Sequence, residues 1–113
     1  MGVSPYAGER KYARFSLDVR AKLIGGGLEI TVRTLDISEG GVGIVSPGEI
    51  APGTLFAIEF VFPTMQDVFR AKAVVNNRKG FRWGLEFADI DETNLALLRK
   101  YQRRWGALAK QKV

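Results

Sequence analysis

Hydrophobic residues in this chain recur at every second position, in short runs cut by glycine and proline, and that rhythm restricts the fold to a sheet. Phe15, Leu17, Val19, Ala21 and Leu23 alternate with other residues, Gly25-Gly26-Gly27 turns the chain, and Leu28, Ile30 and Val32 resume the alternation. Two such runs about a glycine cluster predict a β-hairpin. Val42, Ile44 and Val45 form a short third run, ended by Pro47-Gly48. Phe56, Ile58, Phe60 and Phe62 mark one buried strand face between the Pro52-Gly53 turn and Pro63. Phe69, Ala71, Ala73 and Val75 mark another, with Asn76 to Gly80 reading as a polar turn. Trp83, Leu85 and Phe87 complete the set. Six strands with short connections predict an all-β fold, a six-stranded antiparallel barrel.

After Asp89-Ile90-Asp91-Glu92 the hydrophobic period lengthens from two to nearly four. Asp89 followed by Glu92 reads as a helix start of the capping-box type, with Asp91 an alternative cap. Leu98, Tyr101, Trp105 and Leu108 then share one face, with Leu95 a turn before them. The chain thus divides into an N-terminal arm, residues 1–14, expected to be flexible, and a barrel of residues 15–113 closed by a C-terminal helix over about 91–110. Trp83 and Trp105 read as packing residues.

Composition narrows the chemistry. The chain has 113 residues, 46% of them hydrophobic and 26% charged, which fits one soluble domain with one core. It has no cysteine and no histidine, so disulfides, thiolate nucleophiles and the usual zinc ligands are excluded, as is the commonest general base. No enzyme is expected, and no metal site. The start, Met-Gly-Val-Ser-Pro-Tyr, lacks the apolar core of a signal peptide, and no stretch approaches the length of a membrane span, so a cytoplasmic location is the default expectation. The net charge of +5 is uneven: Arg99, Lys100, Arg103, Arg104, Lys110 and Lys112 stand in a C-terminal segment without acids, leaving −1 for everything before it. A neutral body is not the basic, aromatic-studded sheet of a general nucleic-acid-binding barrel, and no DNA partner is expected.

Two polar clusters stand out from the strand pattern. Arg10-Lys11-Tyr12-Ala13-Arg14 places two arginines four apart, and Asp36-Ile37-Ser38-Glu39-Gly40-Gly41 spaces an acid, a hydroxyl and a glycine as D-x-S-x-x-G. Taken singly, the first reads as solvated charge and the second as a turn closed by Asp and Ser side chains. In this order and at this separation they resemble the paired signature of the PilZ family, RxxxR followed by DxSxxG. Phe81-Arg82-Trp83-Gly84-Leu85-Glu86-Phe87 also looks like that family's last strand.

The resemblance implies a six-stranded barrel with a C-terminal helix, and a receptor for the bacterial second messenger cyclic di-GMP. It implies Arg10, Lys11, Arg14, Asp36, Ser38, Gly40 and Gly41 as the ligand-binding set, with Asn77 a minor candidate. It also implies an output to a partner protein in motility, polysaccharide synthesis or pilus assembly. These residue types suit such a ligand. An arginine fork answers the N7 and O6 acceptors of guanine or a phosphate with two parallel hydrogen bonds, and its plane can stack on a base. A carboxylate at Asp36 can accept from the opposite guanine edge, Ser38 adds a hydroxyl, and glycine lets a ligand approach the main chain. An interaction module of the same fold without a ligand is the alternative.

Overall fold

A computed structural model describes residues 12–111 of the chain, with side chains as far as Trp105. The elements are β1 (Phe15–Ser16), β2 (Arg20–Gly25), β3 (Leu28–Ile37), β4 (Gly41–Val45), β5 (Leu55–Val61), β6 (Val68–Lys79), β7 (Arg82–Asp89) and α1 (Glu92–Gln111). Every pairing is antiparallel, in the order β3-β2-β5-β6-β7-β4, and β4 pairs again with β3 to close a six-stranded barrel. Closure leaves the six main strands without a free edge.

The alternation read from the sequence lines the interior. Leu23, Ile44, Ile58, Phe69, Ala73 and Leu85 are wholly buried, and Phe56, Phe60, Phe62, Val75 and Trp83 nearly so. The β2–β3 hairpin turns at Gly26-Gly27, both at positive φ (58° and 78°), the geometry that two-residue hairpins favour and that only glycine adopts without strain.

The first predicted strand is interrupted. Phe15 to Leu23 runs as one line along β3, but between Ser16 and Arg20 its register against β3 slips by one residue, leaving β1 as a seventh short strand. Thr34, 1% exposed, fills the break. Its hydroxyl accepts the Val19 N–H at 2.9 Å and lies 2.8 Å from the Leu17 carbonyl, to which it donates. The expected turn over Asn76 to Gly80 is likewise a strand, since β6 continues to Lys79 and the chain reverses at Gly80, φ 66°. Solvated polar residues on the outside of a barrel look like a loop when the partner strand is unseen.

The helix begins at Glu92 with Asp91, the alternative cap, as its N-cap: the Asn94 N–H donates to Asp91 Oδ1 at 2.8 Å. Asp89 instead ends β7. Asn94 in turn accepts the Arg70 N–H of β6 at 2.8 Å, which docks the helix start on the barrel. Leu98 and Tyr101 then cover the barrel end. Tyr101 stacks on Phe62 with centroids 4.7 Å apart and donates its hydroxyl to the Ser16 carbonyl at 2.6 Å, while Trp105 meets Phe15 edge-on at 5.7 Å. The helix therefore holds β1 as well as the core. The Leu108 side chain lies outside the described residues.

Candidate functional site

Asp36 owes its direction to a bulge. Val32 and Thr34 of β3 point inward, so strict alternation would aim Asp36 into the core. Opposite β4, however, the register shifts between Thr34 and Asp36, so Leu35 and Asp36 together oppose a single position. That extra residue turns Asp36 out and Ile37 in, the re-aiming that bulges commonly perform. A second register shift, between Val75 and Asn77, accompanies the placing of Asn77 outward on β6.

These two side chains flank a floor of glycine. Across the outer wall, Asp36 pairs with Gly43 of β4, Gly43 with Gly84 of β7, and Gly84 with Asn77. A Cβ on Gly43 would stand 2.7 Å from Asp36 Oδ1, and one on Gly84 would stand 2.5 Å from Asn77 Oδ1. Both carboxylate and carboxamide thus lie directly over backbone. Gly41, also on the outer face of β4, lies opposite Glu86. Gly43 is not among the site residues expected from the sequence, and Gly84 enters there only as part of the last-strand motif, although glycine inside a strand is a known mark of close backbone approach.

Arg14, immediately before β1, reaches this wall. Its Nη2 donates to Asp36 Oδ1 at 2.9 Å, and the two side chains are 25% and 36% exposed. The pair sets a planar donor fork beside an acceptor carboxylate. Arg10 and Lys11 lie outside the described residues.

Ser38 opens the β3–β4 loop. It is 2% exposed, its Oγ accepts the Gly40 N–H at 3.1 Å, and its N–H donates to the Gly41 carbonyl at 2.8 Å. Here the serine shapes the two-residue tip of the β3–β4 loop. Gly40 and Gly41 are not among the residues at positive φ, so left-handed geometry is not what these positions require. The Gly40 carbonyl accepts the Phe87 N–H at 2.9 Å, fastening the loop to β7.

Beside that tip opens a cleft of about 410 Å³ lined by Tyr12, Glu39, Gly40, Glu86, Phe87 and Asp89, among others. Glu39, at the tip itself, is bound from the helix: Arg99 Nε and Nη2 donate to its two carboxylate oxygens at 3.2 and 3.1 Å. That hydrogen bonding and the carboxylate charge raise the Arg99 guanidinium above its ordinary pKa. Among the described residues no group of three or more Asp, Glu, His or Cys is placed to hold a metal ion, and no helix is long and apolar enough to cross a membrane.

Comparison with solved structures finds the same architecture. The inhibitor of motility MotI/DgrA of Bacillus subtilis superposes with a TM-score of 0.67 at 22% identity, over 85% of this chain and 51% of that one. The chain thus spans about half the length of that relative. The PilZ domain of YcgR from Escherichia coli, solved with c-di-GMP, gives 0.64 at 22% identity over 91% of this chain and 93% of that one. The PilZ domain of CeSA from a cellulose-synthesizing bacterium gives 0.61 at 16% identity, over 86% and 98%. At these identities the likeness is one of fold. A search of curated proteins finds no match. The PilZ domain family itself matches residues 9–103, which takes in both polar clusters, all seven strands and most of the helix. With the family's barrel, its helix and its two motifs in one chain, this protein belongs to the PilZ domain family.

Proposed function

We propose that the protein is a cyclic di-GMP receptor that passes the second-messenger level to a partner protein through a changed surface. The observation that carries this reading is the Arg14–Asp36 pair on the outer wall, with Asp36 seated against Gly43 and Asn77 against the neighbouring Gly84. A guanine base offers acceptors along one edge and donors along the other, and this wall offers a guanidinium fork and a carboxylate side by side. The glycines let the Asp36 carboxylate and the Asn77 carboxamide lie close against the wall, which keeps both acceptors at its surface. Arg10 and Lys11, on the same arm as Arg14, add cations for the phosphates, while Ser38, Gly40 and Gly41 give the loop its shape. Asn77 contributes a carboxamide at the far end of the floor.

Ligand binding then exchanges the Arg14–Asp36 contact for contacts to the dinucleotide. Because Arg14 adjoins β1, and β1 is held by Tyr101 and Trp105, any shift of the arm is transmitted to α1. The dinucleotide leaves intact, since neither histidine nor cysteine is available for acid–base or nucleophilic work on the phosphodiester.

Isothermal titration of the protein with cyclic di-GMP tests the proposal, with cyclic di-AMP and GTP as controls. Saturable binding of cyclic di-GMP alone, lost in Arg14→Ala, is the expected result. Absence of binding by the wild type refutes it and points to a protein-interaction module of the same fold.

A further inference from the structure

The Glu39–Arg99 contact joins parts of the chain 60 residues apart and has no role in core packing. Glu39 is 26% exposed at the tip of the β3–β4 loop, one residue from Ser38 and two from Gly41. Left alone, its carboxylate would present negative charge at the loop that carries the proposed site of a ligand with two phosphates. Glu86 and Asp89 line the same cleft and add to that charge. Asn76 Nδ2 donates to Glu86 at 3.2 Å, which holds that carboxylate without neutralising it. Arg99 is the residue that supplies a compensating charge to Glu39, and it does so through two parallel hydrogen bonds that fix direction as well as charge.

We propose that Arg99 is a positioning residue for the ligand site: its fork pins Glu39, cancels the carboxylate charge and holds the β3–β4 loop tip in the shape that receives an anionic dinucleotide. The inference rests on the receptor reading above. It follows that the basic segment of the helix is tied to the ligand loop. Movement of α1 and occupancy of the site then bias one another, as linkage between two sites requires.

The test is a mutant cycle read by titration with cyclic di-GMP and by amide hydrogen exchange in the absence of ligand. Arg99→Gln weakens affinity by about twofold to fivefold at low salt, the range of a single exposed ion pair, and the deficit shrinks as salt rises. Glu39→Gln binds at least as tightly as wild type, and adding it to Arg99→Gln restores the loss. Arg99→Lys keeps the charge but not the fork, and recovers only part. Without ligand, Arg99→Gln speeds exchange of the Gly40 and Ser38 amides, both of which are hydrogen-bonded within the loop tip. Wild-type affinity in Arg99→Gln, or no recovery in the double variant, overturns the proposal. If the wild type itself does not bind, the receptor reading falls and exchange alone decides the clamp: faster exchange in Arg99→Gln upholds it, and unchanged exchange overturns it.

Discussion

Gly43→Ala separates the geometry of the proposed site from the stability of the barrel. The added methyl would lie 2.7 Å from Asp36 Oδ1, whereas ordinary van der Waals contact begins at 3.4 Å, so the carboxylate must retreat by about 0.7 Å. A retreat straight away from Arg14 would lengthen the 2.9 Å ion pair to at most about 3.6 Å, beyond hydrogen-bond range. Gly43 does not need a positive φ, so alanine suits the strand and removes about 0.4–1 kcal/mol of unfolded-state entropy. Loss of a partly exposed ion pair costs about 0.2–1 kcal/mol, so the two effects offset and the melting temperature stays within a few degrees. Affinity is another matter. If Asp36 accepts from one guanine edge as proposed, displacing it removes about 1–3 kcal/mol of binding, or about fivefold to 150-fold in Kd. Titration with cyclic di-GMP beside a thermal melt reads both. Unchanged affinity in a folded variant refutes the role given to Asp36, and a fall in Tm above about 10 °C shows that the strand, not the carboxylate, absorbs the clash.

Thr34→Val preserves shape but strips the hydroxyl from the β1–β2 break, leaving the Val19 N–H without its acceptor; chemical denaturation should show a loss of about 1–3 kcal/mol. Tyr101→Phe loses the 2.6 Å bond to the Ser16 carbonyl, at a cost of about 0.5–1.5 kcal/mol. Burial raises the Tyr101 pKa above 10.0, so its contribution is complete below that pH and declines as pH rises through the raised value; the phenylalanine variant lacks this alkaline loss in a pH series of melts. Asp91 has its pKa lowered from 3.8, chiefly by the Asn94 backbone N–H, so its charge-dependent contribution is present above pH 3.8 and is lost as pH falls through the lowered value. Asp91→Asn keeps a capping oxygen without the charge, and its stability should vary less with pH on the acid side.

What the sequence made legible was whatever depends on neighbours along the chain. The inward sets Phe56, Ile58, Phe60, Phe62 and Phe69, Ala71, Ala73, Val75 are buried as their alternation requires, because a strand's two faces are fixed by its own pleat. The helix was legible for the same reason, down to Leu98 and Tyr101 as its buried anchors. Bulges are different, since an extra residue exists only relative to a partner strand. The outward turn of Asp36 is therefore hidden in the sequence, and the strand character of Asn76 to Lys79 is hidden because its solvated side chains look like a loop. Nor could local pattern join Arg14 to Asp36 or Arg99 to Glu39, pairs 22 and 60 residues apart that only the closed barrel brings together. The motifs identified the loop; the glycine floor beside it became visible only once four strands were laid side by side.

The contact of Phe15 with Trp105 has a topological consequence. The start of β1 and the later half of α1 lie within one aromatic contact of each other, 5.7 Å between ring centres. A domain whose first strand lies against its closing helix in this way can be spliced into a loop of a larger protein at modest entropic cost, because short linkers bridge the gap and closure entropy grows only logarithmically with length. The same adjacency allows a linker to join the helix to the first strand and the chain to be reopened at an exposed hairpin such as Gly26-Gly27. The fold is thus portable, able to serve as a cassette inside another polypeptide without rearranging its strands.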